Sequence, residues 1–262
     1  MQVKPKKALG QHFLTDLGVA RRIASTLDEY TGVPVLEIGP GMGVLTQFLL
    51  EAGHELTVVE LDSESVAWLK SHMPGLAGER IIEGDFLKMD LGSLFGGGEF
   101  CLIGNYPYNI SSQIFFRLLE VKDRVPCCSG MLQREVAERL AAREGTKARG
   151  ILSVLLQMWY DVEYLFTVDE RVFNPPPKVK SGVIRLKRNA TVDPGCDTAL
   201  FKTVVKTTFG QRRKTIRNSV RGLCPAGRLP SCERLLGLRP EQLSVAEFVE
   251  LTNAVAELRA TE

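Results

Sequence analysis

Five consecutive residues, Asn105-Tyr106-Pro107-Tyr108-Asn109, carry the most specific chemistry in the chain, and they follow directly on the apolar run Cys101–Gly104. An amide, a proline and two aromatic rings at the tip of a strand suit a planar base with an exocyclic amine. Pro107 biases Tyr106 towards extended geometry, which can aim the Tyr106 carbonyl outward beside the Asn105 side chain. Two oxygen acceptors in one place match an NH2 group with two hydrogens. Tyr108 offers a ring for stacking, a contact worth ~1–3 kcal/mol. The plain alternative is a proline turn whose aromatics belong to the core.

A second constellation lies earlier, at Val33–Gly43, reading V-P-V-L-E-I-G-P-G-M-G. Val35–Ile38 suits a strand buried on both faces, and Val44–Ala52 has helical apolar spacing that stops at Gly53. Strand, glycine turn and helix make the first half of a nucleotide-binding α/β unit. The turn alone could bind a dinucleotide, bind S-adenosylmethionine, or merely be tight. Dinucleotide folds want G-x-G-x-x-G around a pyrophosphate, whereas here the spacing is G-x-G-x-G with Glu37 two residues ahead. Glu37 favours a cation or amine and opposes a phosphate. S-adenosylmethionine, with a sulfonium and an ammonium, fits better.

Two further acids fall at strand ends. Glu55–Glu60 is a second strand, and an acid at its end can hold the two hydroxyls of a ribose. Ile81–Leu87 is a third, bearing Asp85 and Phe86, an acceptor and a ring suited to an adenine amine. Glu60 can equally be an exposed strand-end acid, and Gly84-Asp85 ordinary turn chemistry. Phe173, at the root of N-P-P-P, is either a core plug or a second wall of the base pocket. His12 reads as a surface or capping histidine with no base or metal partner.

These residues need a frame. Cys101–Gly104 is the fourth strand and Val125–Gln133 the fifth, while Asp161–Phe166 and Gly182–Leu186 form a closing pair. Asp16 can cap a helix from Leu17 to about Leu27, and Ser111 or Ser112 one over Gln113–Leu119. Helices are also expected over 134–143 and 151–159, with Glu144–Gly150 between them as a mobile basic loop near the crevice. Lys4–Leu14 is a basic arm (Lys4, Lys6, Lys7) ending in an apolar hook, Phe13 and Leu14, that pins it to the domain. Lys187–Asp197 is a polar boundary, beyond which the pattern is helical only: Leu200–Phe209, Thr215–Arg221, Ala246–Leu258 and a short turn at Leu235–Leu243. The expected division is therefore 1–189 and 190–262.

Composition narrows the function classes. The 262 residues are 44% hydrophobic, and no run approaches the ~20 apolar residues of a membrane span. The basic N-terminus has no apolar signal core behind it, so a cytoplasmic protein is expected. The six cysteines form no C-x-x-C and do not cluster with the three histidines, so no metal site is expected and the thiols read as reduced packing residues. The net charge of +2 hides an asymmetry. Lys202–Arg234 holds nine Lys or Arg against one acid, a local +8, which leaves the rest of the chain at −6. Such a block points to a polyanion.

With 105–109 and 37–43 together, the chain resembles the KsgA-type rRNA adenine N6-dimethyltransferases nearly end to end. L-G-Q-H-F-L at 9–14 is similar to the family's amino-terminal cofactor motif, E-I-G-P-G-M-G to its glycine loop, V-F-N-P-P-P-K-V-K-S at 172–181 to its target-base segment, and F-G-Q-R-R-K-T-I-R-N-S at 209–219 to its basic carboxyl-terminal domain. The resemblance implies a Rossmann-like α/β methyltransferase fold with a mostly parallel seven-stranded sheet and a small all-α RNA-binding domain. It implies that His12, Leu14, Gly39, Glu60, Asp85 and Asn105 line S-adenosylmethionine. Asn105 and the Tyr106 carbonyl would hold the target amine, with Tyr108 and Phe173 sandwiching the base. Arg212, Arg213, Lys214 and Arg217 would contact RNA. The implied substrate is a pair of adjacent adenosines in a hairpin loop near the 3′ end of small-subunit (16S) rRNA in the assembling 30S subunit, methylated by a monomeric enzyme with no membrane partner. Tyr106 departs from the family's usual leucine, which could reshape the pocket wall. The competing readings are the macrolide-resistance 23S rRNA methyltransferases, a non-catalytic RNA-binding assembly factor, and an NAD-dependent dehydrogenase.

Overall fold

The computed structural model describes residues 3–6, 9–76 and 78–260; Lys7, one of the three arm lysines, lies outside them. The chain divides into two compact units, Met1–Glu138 with Asp161–Arg188, and Arg139–Tyr160 with Asn189–Glu262. This differs from a single cut at 189/190. The segment 139–160 goes with the C-terminal helices because its helix (151–157) buries Leu152, Val154, Leu155 and Leu156 and packs on the helix at 198–210.

In the first unit, β1 (Phe13–Leu14) precedes α1 (Leu17–Ala24), which Asp16 caps by accepting the Val19 N–H at 3.0 Å. Then come β2 (Val35–Ile38), α2 (Thr46–Glu51), β3 (Leu56–Glu60), α3 (Ser63–His72), β4 (Ile81–Glu83), β5 (Cys101–Asn105), α4 (Ser111–Glu120) and β6 (Cys127–Gln133). Helix α4 begins at Ser111 itself. The Ser111 hydroxyl donates back to the Tyr108 carbonyl instead of capping.

Seven strands form one sheet in the order β4-β3-β2-β5-β6-β9-β7, where β7 is Tyr160–Val168 and β9 Ser181–Arg188. The β2–β3, β3–β4, β2–β5 and β5–β6 pairs are parallel and β6–β9 is antiparallel, the mostly parallel seven-stranded sheet expected. Every residue of β2 and β3 is buried, as strands covered on both faces require. Sequence order reverses between β2 and β5, and the carboxyl ends of these two strands define the crevice where α/β sheets bind ligands. A separate two-stranded ribbon joins β1 to β8 (Phe173–Asn174), with Leu14 opposite Phe173.

The second unit is helical: α5 (Arg134–Leu140) leads into it, followed by α6 (Ile151–Gln157), α7 (Thr198–Gly210), α8 (Ile216–Ser219), α9 (Glu233–Leu236) and α10 (Val245–Ala260). Asp197 caps α7 through the Leu200 N–H at 2.7 Å. Phe201, Phe209 and Phe248 meet at the α7–α10 contact that forms its core.

Candidate active site

A cavity opens at the carboxyl ends of β2, β3, β4 and β5, lined by the arm at 9–14, the glycine turn at 37–45, Glu60, Asp85 and the segment 105–110. It contains His12, Leu14, Gly39, Glu60, Asp85, Asn105, Tyr106 and Tyr108. Phe173 is not among the residues lining it. That ring is 4% exposed and sits in the hydrophobic core beside Leu14, whose strand it pairs with. That burial is the one the core-plug reading of Phe173 expects.

The floor of the cavity is acidic. Glu37, Glu60 and Asp85 line it, and among the described residues no lysine or arginine does. Glu37 is 1% exposed, accepts the Thr46 hydroxyl at 2.7 Å, and is pushed up to about 8 by burial, with the nearby Glu60 charge adding to the rise. Glu60 is also raised by burial, against the pull of two backbone N–H groups: Gly41 donates to Oε2 at 3.0 Å and Asp62 to Oε1 at 2.9 Å. Gly41 makes this approach with φ +56, and a Cβ there would stand 2.9 Å from the Phe13 ring, so only glycine serves. Such a site repels a pyrophosphate and welcomes a cation. Asp85 accepts the Leu87 N–H at 3.0 Å, which holds its carboxylate at the mouth of β4.

Hydrogen bonds hold the Asn105–Tyr108 segment. Asn105 donates Nδ2 to the His12 carbonyl at 3.1 Å, which leaves Oδ1 as the acceptor. Tyr106 gives its N–H to the Met131 carbonyl at 2.9 Å. Its ring is 1% exposed and turned into the core, where the hydroxyl donates to the Ser129 carbonyl at 2.7 Å. The pocket therefore meets the backbone of Tyr106, and its departure from leucine is absorbed elsewhere. Gly104 and Gly130, paired across β5 and β6, make the room: a Cβ on Gly130 would be 2.6 Å from the Tyr106 ring. Tyr108 bonds the Ser181 hydroxyl and its ring centroid is 5.5 Å from that of His12. His12 Nδ1 lies 2.8 Å from the Pro175 carbonyl oxygen.

One participant escapes a reading of the sequence. Asp62, 2% exposed, binds Lys6, Gln11 and Ser65 through its side chain while its own N–H holds Glu60. It ties the arm to Glu60. Its local signal is an ordinary helix cap, Asp62 with Ser65, and the arm's approach is a long-range contact.

The remaining site residues lie on the second unit. Arg213, Lys214 and Arg217 are exposed at the α7–α8 connection. Arg212 is half-buried and engaged, its guanidinium donating to the Lys147 carbonyl and lying 3.7 Å from Glu241. The loop at 144–150 is likewise tied down instead of mobile: Gly145 donates to the Glu241 carbonyl at 2.8 Å and Arg149 is fully buried.

Residues 2–257 match the family model described as ribosomal RNA adenine dimethylase. The chain is 68% identical over 254 residues to ribosomal RNA small subunit methyltransferase A of Parabacteroides distasonis, covering 95% of this chain and 93% of that protein. It is 64% identical over 253 residues to the protein of the same name from Porphyromonas gingivalis, covering 96% and 98%. Among solved structures, a dimethyladenosine transferase from Plasmodium falciparum superposes with a TM-score of 0.76 at 22% identity, over 95% of this chain and 98% of that one, and shares the fold. The 23S rRNA methyltransferase ErmE gives 0.67 at 27% identity, over 93% and 99%. Among the described residues no helix is long and apolar enough to cross a membrane. On the extent of the match and the identity of these relatives, the chain belongs to the ribosomal RNA adenine dimethylase family.

Proposed function

We propose that this protein, acting as a cytoplasmic monomer, dimethylates the N6 amines of two adjacent adenosines in a hairpin loop near the 3′ end of 16S rRNA in the assembling small subunit. The observation that carries the reading is Asn105: its amide donates to the His12 carbonyl, so an acceptor stands at the tip of β5 beside a cavity lined by three acidic side chains and, among the described residues, no lysine or arginine.

S-adenosylmethionine fits that cavity, and when bound it supplies an electrophilic methyl on a sulfonium. Glu60 would take the ribose hydroxyls, Asp85 with Phe86 the cofactor adenine, and Glu37 the positive end, while His12, Leu14 and Gly39 shape the walls. An exocyclic adenine amine is a poor nucleophile because its lone pair is delocalised into the ring. Asn105 Oδ1 and the Tyr106 carbonyl draw its two hydrogens towards tetrahedral geometry and offset charge building on nitrogen. Tyr108 stacks on the base and fixes its approach, so the site works by positioning. An unpaired loop base is cheap to extrude into it. Arg213, Lys214 and Arg217, with Arg212 beside them, make the second unit the RNA-binding one.

The test is transfer of labelled methyl from S-adenosylmethionine to undermethylated small subunits, with the modified bases mapped. Label on two adjacent adenines near the 3′ end of 16S rRNA is expected. Label only in 23S rRNA would favour the ErmE-like specificity, and none in either would overturn the assignment.

A further inference from the structure

Several exposed arginines have carboxylate partners: Arg21 with Glu51, Arg134 with Glu138, Arg171 with Asp169, and, within the second unit, Arg234 with Glu247. In the second unit Arg143, Lys147, Arg213, Lys214 and Arg217 are exposed, and none of the five forms an ion pair among the described residues. They come from two stretches far apart in sequence, the α5–α6 loop and the α7–α8 connection.

Side chains that face inward join the two stretches. Arg149, at the end of the loop, has no exposed surface. Its Nη1 donates to the Ala142 carbonyl at 3.1 Å and to Gln157 Oε1 at 2.9 Å, and Gln157 Nε2 in turn donates to the Leu140 and Ala142 carbonyls at 3.0 Å. Among the described residues its Nε and Nη2 have no hydrogen-bond partner, so this burial is a costly way to hold a loop. From the other side, Arg212 donates to the Lys147 carbonyl, and both Arg212 and Gly145 reach Glu241. A guanidinium committed to a carbonyl and a carboxylate is poorly placed to clamp a phosphate as well.

We propose that the loop at 142–149 is the second half of the RNA-backbone surface, with Lys147 contacting phosphate alongside Arg213, Lys214 and Arg217, and that Arg212 and Arg149 are positioning residues that hold the loop in place. This rests on the reading that the second unit binds RNA. It also reassigns Arg212, whose place in an R-R-K run makes it look like a direct contact. Spacing the cations over two fixed stretches lets the surface follow a curved backbone, where a single flexible run would have to be ordered on binding.

The experiment measures affinity of the full-length protein for undermethylated small subunits as a function of salt. Removing one phosphate-binding cation lowers the slope of log K against log salt by about one. Lys147→Gln is expected to lower it by about one, as Arg213→Gln does, and to raise the KM for the particle with kcat unchanged. Arg212→Gln is expected to weaken binding to the same degree and to speed hydrogen exchange at the Gly145 amide. The Arg212→Gln, Lys147→Gln double variant should then bind no more weakly than Arg212→Gln alone. Arg149→Met should likewise speed exchange at Gly145 and weaken binding. An unchanged slope for Lys147→Gln, or an additive drop of about two in the double variant, would overturn the proposal while leaving RNA binding by this unit intact. An unchanged slope on replacing Arg213, Lys214 and Arg217 together would instead overturn the reading on which it rests.

Discussion

The side-chain amide of Asn105 donates to the main-chain carbonyl of His12, 3.1 Å away and 93 residues earlier in the chain. One bond thereby fixes the amide's orientation and seats the amino-terminal arm at the tip of β5. Replacing Asn105 with Ala removes an acceptor placed for the target amine. We expect kcat to fall by about 10²–10³, by analogy with losing one polar group that stabilises developing charge, with RNA affinity close to normal. Single-turnover methyl transfer and filter binding on the same variant check this; loss of RNA binding would refute the role given to Asn105.

Tyr106 sets a different expectation. Its ring fills core space over Gly104 and Gly130, and its hydroxyl satisfies the Ser129 carbonyl. Tyr106→Leu should cost about 1–3 kcal/mol of stability through poorer packing and an unpaired buried carbonyl. Methyl transfer per folded molecule should stay near the parent rate, since the pocket meets only the backbone. Gly130→Ala should be destabilising even in the Tyr106→Leu background, because its Cβ would also lie 2.4 Å from the Gly104 carbonyl oxygen. Chemical denaturation of the three variants decides both points.

Glu37 makes cofactor binding depend on pH. Its carboxyl, raised by burial to about 8, is protonated in the ligand-free protein at neutral pH. Folded protein therefore holds a proton that unfolded protein releases above about 4.5, so this group's contribution to stability is present below that value and lost as pH rises towards 8. A cationic ligand favours the ionised form, so binding should release protons and tighten as pH rises through neutrality. Calorimetric titrations of S-adenosylmethionine in buffers of different ionisation enthalpy should show that release at pH 7. Glu37→Gln should abolish this share of it.

His54 acts on stability in the opposite sense. It follows α2, is 7% exposed, and among the described residues neither ring nitrogen has a hydrogen-bond partner, so burial lowers its pKa below 6.5. Unfolded protein then binds the proton more readily, and stability should fall as pH drops below about 6.5. His54→Leu should flatten that fall in urea midpoints compared across pH 5 to 7.5.

Much of the site is legible in residues that act locally. The β2 turn with Glu37, the strand-end acids Glu60 and Asp85, and Asn105 at its strand tip all fall in the cavity because an α/β sheet delivers its strand ends to one edge. Contacts between distant segments are harder to read. Phe173 stays ambiguous in the sequence because aromatics beside prolines can serve as wall or as core, and only its pairing with Leu14 assigns it to the core. Asp62 and Arg212 are obscured by simpler local roles, a helix cap and a basic run. The segment 139–160 changes units because an apolar helix carries no label for the surface it will cover.

The β1–β8 ribbon bears on the order of events at the ribosome making this protein. The arm that walls the cavity is translated well before its partner strand, Phe173–Asn174, and His12 closes onto Pro175, 163 residues later. A nascent chain that stops short of Phe173 lacks the strand that pairs with Phe13–Leu14, so this wall of the cavity is complete only once that strand has emerged.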